Sequence, residues 1–210
     1  MEKNVILKLI ILISLSNFSY SEESQVHPNG YWIGKEIINE HKFDPFLARA
    51  LVTFLKREKA YTVVDFGCGL GDYVKTLLIC NFHCEGYDGN PDTYALTEGV
   101  ATTLDLSEPF DLKKTFDWVI SLEVGEHLPK RFESIFLENL DRHSSKGIIL
   151  SWAIKGQGGF GHFNEQDSEY IKNLMKNLNY INDITAEQTL KQHSSLSWFK
   201  NTIMVFRKSI

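Results

Sequence analysis

The sequence YTVVDFGCGLGD, residues 61–72, decides the fold of this chain. Its first half is rich in β-branched and aromatic residues and predicts a buried β-strand. Glycines follow at positions 67, 69 and 71, and because glycine has no Cβ, a ligand can come close to the backbone N–H groups of such a turn. A helix that begins after the turn presents its positive end to the same ligand. The stretch therefore predicts a strand, a ligand-binding turn and a helix, in that order.

Short apolar runs alternate with helical patterns along the rest of the chain. A helix is predicted to begin at Asp44-Pro45, because an N-cap side chain is followed by proline at the first helical position. Further helices are predicted over 72–80, 129–143 and 165–178, and strands over 61–66, 84–87, 102–106, 118–122, 147–152 and 202–206. Strands separated by helices predict an α/β fold, a three-layer sandwich with a mostly parallel sheet covered on both faces. Ligands bind such sheets beyond the carboxyl ends of the strands.

Composition and charge limit the class of partner. The chain has 210 residues, of which 43% are hydrophobic and 23% charged, and this is typical of one globular domain. Its formal net charge of −5 argues against DNA as a partner and disfavours RNA, because nucleic-acid surfaces are usually basic. Of the three cysteines, Cys68, Cys80 and Cys84, the last two are close enough in sequence to pair across a turn, and the sequence leaves that pairing open. The absence of a Cys-x-x-Cys spacing disfavours a zinc site.

Residues 1–21 differ in composition from the rest of the chain. Lys3 precedes an almost wholly apolar run from Val5 to Leu15, and Ser19-Tyr20-Ser21 resembles a small-x-small cleavage site. This order is typical of a secretory signal peptide, and the run is too short to cross a bilayer comfortably. We therefore expect a cleaved signal, a single domain over 22–210, a location in the secretory pathway or outside the cell, and no stable membrane span in the mature chain. The alternative is an uncleaved N-terminal anchor on a membrane-anchored protein, or a cytoplasmic protein.

Acidic residues stand at the ends of the second and third predicted strands. Asp88 follows the glycines by about 20 residues, the spacing at which a carboxylate accepts the hydroxyls of a ribose. Its alternative role is a turn aspartate before Gly89. Asp105 is placed to meet an adenine amino group, or else to cap the turn before Ser107. A dinucleotide fingerprint would need glycine at position 72, so Asp72 disfavours a nicotinamide-dependent enzyme.

These motifs resemble those of the class I S-adenosylmethionine-dependent methyltransferases over roughly residues 43–207. The resemblance rests on residues 63–71, on Asp88 and on residues 116–129, FDWVISLEVGEHLP. It implies a Rossmann-like fold with a seven-stranded sheet whose last strand is antiparallel, and S-adenosylmethionine as the cofactor. The residues that it implies for cofactor binding are Asp65, Gly67, Gly69, Gly71, Asp88, Asp105, Leu122 and Glu123.

The acceptor of the methyl group is not fixed by the fold. We expect a small-molecule hydroxyl; the alternatives are a catalytically inactive S-adenosylmethionine- or ligand-binding module of the same fold and an RNA 2′-O-methyltransferase. Residues 152–164 follow the fifth strand and carry His162 and Asn164 in a glycine-rich loop, which places them on the acceptor side. Tyr31-Trp32 is expected either to cover the pocket as a lid or to pack in the core.

A metal ion is predicted from the residues after the fourth strand. Glu123, Glu126 and His127 are spaced so that one turn of chain could direct all three at the pocket, and His162 could complete the set. This Glu-x-x-Glu-His pattern is similar to that of metal-assisted O-methyltransferases, including small-RNA 2′-O-methyltransferases and those of quinone biosynthesis. Two carboxylates suit Mg²⁺ or Mn²⁺, and the imidazoles favour Mn²⁺ slightly. Without a metal, His127 is expected to act as a general base or simply to pack; His127, Glu126 and His162 are the predicted catalytic residues.

Overall fold

The computed structural model describes residues 26–34 and 39–209 of the protein. Its strands are β1 Thr62–Phe66, β2 His83–Asp88, β3 Ala101–Thr103, β4 Phe116–Ser121, β5 Ser144–Leu150, β6 Tyr180–Asn182 and β7 Met204–Lys208. Within the described residues they form one seven-stranded sheet in the order β3-β2-β1-β4-β5-β7-β6. Strands β1 to β5 are parallel, whereas β7 runs antiparallel to both β5 and β6. The predicted mostly parallel sheet with an antiparallel last strand is confirmed.

Helices cover both faces of the sheet. They are α1 Pro45–Arg57, α2 Asp72–Ile79, α3 Thr93–Leu96, α4 Glu133–His143, α5 Ser168–Asn177, α6 Ile184–His193 and α7 Phe199–Thr202. Helices α1, α2 and α6 bury apolar residues in a cluster with Val63 and Trp118 on one face. Helices α4 and α5 do so with Val64 and Val119 on the other face, because successive strand residues point to opposite sides. The predicted three-layer sandwich is thus confirmed.

Asp44 begins α1 and also fastens a distant loop. One carboxylate oxygen accepts the N–H groups of Phe46 and Leu47, as the predicted N-cap requires. The other accepts the N–H groups of Ser195 and Leu196, and both serine hydroxyls at 194 and 195 donate to the same carboxylate. Burial alone would raise the pKa of Asp44, but these hydrogen bonds hold it well below its ordinary value. The chain before α7 is thereby held next to the start of α1.

Several parts of the chain differ from the sequence prediction. Helix α4 begins at Glu133 and not at residue 129, and strand β3 ends at Thr103 and not at residue 106. Helix α5 begins at Ser168 and not at residue 165, because the carboxylate of Glu165 is hydrogen-bonded to the loop before it. Strand β6 and helices α6 and α7 were not predicted. β6 has three residues, of which only Tyr180 is buried, so the strand leaves no recognisable alternation.

The remaining predictions about the chain as a whole have different outcomes. The described residues include all three cysteines, and each of them is a free thiol, so Cys80 and Cys84 are not paired. No helix in the described part of the chain is long and apolar enough to cross a membrane. The predicted signal peptide, residues 1–21, lies outside the described residues, and its cleavage stays a prediction.

Candidate functional site

A cavity of about 680 Å³ opens beyond the carboxyl ends of the parallel strands. Pockets of roughly 300–1,000 Å³ are usual for small-molecule ligands. The predicted cofactor-binding residues that line the cavity are Asp65, Gly67, Gly69, Asp88, Asp105, Leu122 and Glu123. Gly71 does not line it. That glycine has a φ of 74° at the N-cap of α2, and a Cβ there would lie 3.2 Å from Val100, so it allows the turn to enter the helix.

The glycine turn and Asp88 support each other. Gly67 and Gly69 have φ values of 81° and 53°, in the left-handed region that favours glycine. The Oδ2 atom of Asp88 accepts the N–H of Gly69 at 2.9 Å, and Oδ1 accepts the N–H of Asn90 at the same distance. Burial raises the pKa of Asp88, and these backbone hydrogen bonds oppose the rise. The carboxylate therefore has a fixed position at the cavity wall.

Asp65 lies at the carboxyl end of β1 and is 2% exposed. Its Oδ2 atom has no hydrogen-bond partner among the described residues. Burial, and then the negative charge of Asp88, raise the pKa of Asp65 to about 8. A buried carboxyl group without a partner, at the wall of a cavity, fits a positively charged ligand.

The N-terminal segment, residues 26–34, covers the cavity. The Nδ2 atom of Asn29 donates to Oδ2 of Asp105 at 2.8 Å. Tyr31 lies against Gly89, where a Cβ would overlap its ring. The ring of Trp32 lies 5.1 Å from that of His127 and 4.8 Å from that of His41. Tyr31 and Trp32 thus line the cavity, as expected of a lid.

Sequence reasoning missed both Asn29 and His41. The ring of His41 lies over Gly69, and Asp88 and Asp72 act on it electrostatically. Burial lowers the pKa of His41, although those two carboxylates oppose the change. No local pattern distinguishes either residue in the sequence. Each becomes part of the site only because the N-terminal segment and residues 39–43 fold back over the glycine turn.

The position of Asp105 is compatible with both of its predicted roles, a cap of the turn before Ser107 and a contact to the adenine amino group. Its Oδ1 atom accepts the N–H of Ser107 at 2.9 Å and the hydroxyl of the same residue at 2.6 Å, as a turn cap does. The same carboxylate also lines the cavity.

A second cluster lies on the acceptor side, after β4. Glu126, His127 and His162 each offer one ligand atom, and the three atoms lie within 4.8 Å of one another. Nδ1 of His127 is 3.1 Å from the carbonyl oxygen of Gly161, and Nδ1 of His162 is 2.9 Å from Oε1 of Glu165. Burial, and then the neighbouring His162, lower the pKa of His127 to about 4, so its imidazole is neutral at pH 7.

Glu126 is the most unusual member of this cluster. Its side chain is fully buried, and neither carboxylate oxygen has a hydrogen-bond partner of normal geometry in the described part of the chain, although the backbone of Glu126 and Ala153 and the side chain of Glu123 are close enough to act on its pKa. Burial, and then the charge of Glu123, raise its pKa well above the ordinary value. Its backbone carbonyl accepts the N–H groups of Phe163 and Asn164, which attach the β5–α5 loop, residues 151–167, to the turn after β4.

Glu123 lies beside this cluster but outside it. Its Oε1 atom accepts the hydroxyl of Thr202 at 3.0 Å, and its Oε2 atom accepts Nε2–H of Gln157 at 3.4 Å. The structure therefore brings together three of the four predicted metal ligands. Glu123 is the predicted ligand that is not part of this cluster; its carboxylate is hydrogen-bonded to α7 and to the β5–α5 loop, and its role as a ligand stays a prediction.

The comparison with known families agrees with this geometry. A family described as a methyltransferase domain matches residues 38–183 of the chain. The chain belongs to the class I S-adenosylmethionine-dependent methyltransferases. Its cofactor is S-adenosylmethionine. A search of curated protein sequences finds no match.

Solved methyltransferase structures share the fold. Magnesium protoporphyrin IX methyltransferase from Synechocystis, with bound S-adenosylhomocysteine, is 17% identical, with a TM-score of 0.61 over 77% of this chain and 82% of that one. The amino pentose methyltransferase CalS10 from Micromonospora echinaspora, with bound S-adenosylmethionine, is 15% identical, with a TM-score of 0.59 over 77% and 90%. The small RNA methyltransferase HEN1 is 20% identical, with a TM-score of 0.59 over 78% of this chain and 25% of that one. At these identities the likeness shows the fold alone.

Proposed function

We propose that this methyltransferase transfers the methyl group to a hydroxyl of a small molecule, with a divalent metal ion held by Glu126, His127 and His162. The observation that carries the proposal is the carboxylate of Glu126, which is fully buried and has two unpartnered oxygens beside two imidazoles. A buried charge without a partner is unfavourable by several kcal/mol, whereas a metal ion satisfies it.

The cluster fits one ion of the Mg²⁺ or Mn²⁺ type. Ligand atoms on opposite sides of an ion with bonds of about 2.1 Å lie about 4.2 Å apart, so small side-chain rotations suffice for atoms within 4.8 Å. Imidazole ligands favour Mn²⁺ over Mg²⁺. A divalent ion in this position lowers the pKa of a hydroxyl that binds it. Glu123 contributes a second negative charge nearby without being a ligand.

The cofactor half of the cavity is built from residues that accept hydrogen bonds or positive charge. S-adenosylmethionine, when bound, supplies an electrophilic methyl group on a sulfonium centre. We assign its ribose hydroxyls to Asp88, which has a fixed carboxylate at the cavity wall. We assign its positive charge to Asp65, whose Oδ2 atom is unpartnered. Gly67 and Gly69 keep side chains away from the turn that would hold the amino-acid end.

His127 is suited to handle the acceptor proton if no ion binds. A carbonyl oxygen can only accept, so Nδ1 of His127 carries the hydrogen that it donates to Gly161, and Nε2 keeps its lone pair. The imidazole is neutral at pH 7 because burial lowers its pKa to about 4. The same atom can therefore ligate a metal or accept a proton, and the two functions predict different responses to chelation.

Charge at the cavity favours a small neutral or cationic acceptor over RNA. Several acidic side chains line it, whereas the lysines among its lining residues are Lys42 and Lys155. Lys155 already pairs with Asp167 at 3.3 Å. An RNA acceptor would need several basic contacts to phosphates. The acidic residues that line the cavity are Glu40, Asp65, Asp72, Asp88, Asp105 and Glu123.

The test measures methyl transfer from labelled S-adenosylmethionine to two acceptor panels, one of small phenols, catechols and sugars and one of short RNAs. Each is measured after chelation and after Mg²⁺ or Mn²⁺ is restored. We expect transfer to a small hydroxyl compound that chelation abolishes and the metal restores. Full turnover in the chelated enzyme would refute the metal ion and leave His127 as the general base. Transfer to RNA alone would refute the small-molecule acceptor.

Glu126→Gln is the variant that tests the metal site directly. The substitution keeps the shape of the side chain and removes its charge, so we expect loss of metal-dependent activity. Glu138→Gln is a matched control, because Glu138 is an exposed carboxylate on α4, the helix that follows the same turn. Equal metal dependence in the two variants would contradict the assignment.

A further inference from the structure

The carboxylate of Glu165 is the centre of a hydrogen-bond network in the β5–α5 loop. Its Oε1 atom accepts the N–H of Gly158 at 2.6 Å and Nδ1–H of His162 at 2.9 Å. Its Oε2 atom accepts the N–H of Gly156 at 2.7 Å. Glu165 does not line the cavity, so it acts on the site through other residues.

The first part of this loop, around Gly156 and Gly158, is held by these hydrogen bonds more than by packing. Gly156 and Gly158 have φ values of 83° and 70°. No described atom lies within 4 Å of the position that a Cβ would occupy at either glycine. Glycine is also the residue that loses most conformational freedom on ordering. A segment of this kind keeps one conformation only where hydrogen bonds fix it, and Glu165 accepts two of its N–H groups.

The loop that Glu165 fixes contacts two side chains on the acceptor side, Glu123 and His127, and carries a third, His162. Gln157 donates to Glu123, the carbonyl of Gly161 accepts from His127, and His162 is itself part of the loop. Movement of the loop would therefore displace two of the three proposed metal ligands together.

Glu165 also determines which nitrogen of His162 is free. An ionised carboxylate can only accept hydrogen bonds, so Nδ1 of His162 carries the hydrogen and Nε2 keeps its lone pair. Gly159 leaves room beside that atom, because a Cβ at this residue would overlap the imidazole. Histidine ligands of metals commonly donate their second N–H to a carboxylate in this way, which fixes the ring and increases its basicity.

We propose that Glu165 is a positioning residue of the metal centre, which holds His162 in the ligating tautomer and fixes the loop that orients His127. This inference rests on the metal-dependent function proposed above. The residue does not line the cavity, and its effect is exerted through the two histidines.

The test compares wild type, Glu165→Ala and Glu165→Gln with Glu169→Gln as a matched control. Glu169 lies in the first turn of α5, its side chain is 82% exposed, and among the described residues its ion pair is with Lys172. Binding of Mn²⁺ is measured from the paramagnetic resonance signal of the free ion. The tautomer of His162 is measured in the metal-free protein from the ¹⁵N chemical shifts of its ring.

We expect Glu165→Ala to weaken Mn²⁺ binding by about 10–100-fold, the usual effect of removing a carboxylate partner of a ligating histidine. Glu165→Gln keeps one oxygen acceptor and should lose less. The proton of His162 should be confined to Nδ1 in wild type and Glu169→Gln and shared between both nitrogens in Glu165→Ala. A role confined to loop stability would change the melting temperature and leave the tautomer unaltered.

The outcomes separate the two proposals. Absence of Mn²⁺ binding by wild type would overturn the metal-dependent function, and this inference with it. Wild-type binding that is unchanged in a folded Glu165→Ala variant, with the proton still on Nδ1, would overturn the inference alone. Circular dichroism checks folding, and if Glu165→Ala is unfolded, the same criteria apply to Glu165→Gln.

Discussion

Replacement of Asp65 by asparagine should have opposite effects on stability and on cofactor binding. Asp65 is a buried carboxyl group at the end of β1, and its Oδ2 atom has no partner in the described residues. Asparagine has nearly the same shape and is neutral at every pH. We expect Asp65→Asn to stabilise the cofactor-free protein at neutral pH and to weaken its affinity for S-adenosylmethionine.

The magnitude follows from the pKa of Asp65, which rises from 3.8 to about 8 on folding. Between these values the folded state binds one more proton than the unfolded state, so the free energy of unfolding falls as the pH rises, by ~1.4 kcal/mol per unit. The stabilisation that the folded state gains from the proton on Asp65 is complete below pH 3.8 and is lost by the time the pH passes about 8. At pH 7 the loss reaches an upper limit of about 4 kcal/mol. Asparagine avoids it.

The assay is thermal unfolding of wild type and Asp65→Asn between pH 5 and pH 8. One kcal/mol shifts the melting temperature of a domain of this size by roughly 2–4 °C, so the gap should reach at most about 8–16 °C at pH 7 and narrow towards pH 5. Asp92→Asn is the matched control, because it removes one carboxylate that does not line the cavity and makes no side-chain cap hydrogen bond. A gap that does not change with pH, or a less stable Asp65→Asn, would refute the reasoning.

Binding supplies the second half of this test. Calorimetry in buffers of different ionisation enthalpy counts the protons released when S-adenosylmethionine binds. Wild type should release close to one proton between about pH 6 and pH 7, and fewer as the pH passes 8, because a positive charge in the cavity lowers the pKa of Asp65 from about 8 towards its ordinary value. Asp65→Asn should release less and bind at least about tenfold more weakly, which corresponds to ~1.4 kcal/mol. Equal proton release in both proteins would place the titrating group elsewhere.

Three further substitutions test other parts of the structure. Asp88→Asn removes a charged acceptor worth about 1.5–3 kcal/mol per hydrogen bond, so calorimetry on protein that circular dichroism shows to be folded should give an S-adenosylmethionine affinity lower by roughly 10–150-fold. Asp44→Ala removes a helix cap and leaves buried N–H groups unpaired, so urea unfolding should show a loss of about 2–4 kcal/mol. Gly125→Ala places a Cβ against the buried ring of Trp152, and thermal unfolding should show a loss of about 1–3 kcal/mol.

The sequence was sufficient to predict those parts of the site that depend on local sequence patterns. The glycine turn, Asp88 and the strand before Glu123 could all be predicted, because parallel strands bring their carboxyl ends to one edge of the sheet. Asp44-Pro45 likewise predicted the start of α1 correctly, since both an N-cap and an N1 proline act within one turn.

Long-range contacts account for what the sequence did not predict. Asn29 and His41 line the cavity because the chain folds back over the glycine turn, and the periodicity of a sequence does not predict such a long-range contact. The spacing of Glu123 and Glu126 predicted that both point towards the pocket, but it did not predict that the two side chains differ in burial. Glu126 is fully buried, whereas Glu123 lines the cavity and is held by Thr202. The spacing of residues along a helix or turn predicts the direction in which each side chain points, but it does not predict how deeply that side chain is buried.

The N-terminal segment has a practical consequence for producing the enzyme. Residues 26–34 contribute nothing to the two apolar clusters that hold the sheet, and they precede the methyltransferase match at 38–183. A recombinant chain trimmed to that match should therefore still form its sheet, yet it would lack Asn29, Tyr31 and Trp32 above the bound substrates. Water would then reach the reacting groups, and the low turnover number of such a truncated chain would result from the truncation and not from the enzyme itself. Screens for the acceptor need a chain that begins before residue 26.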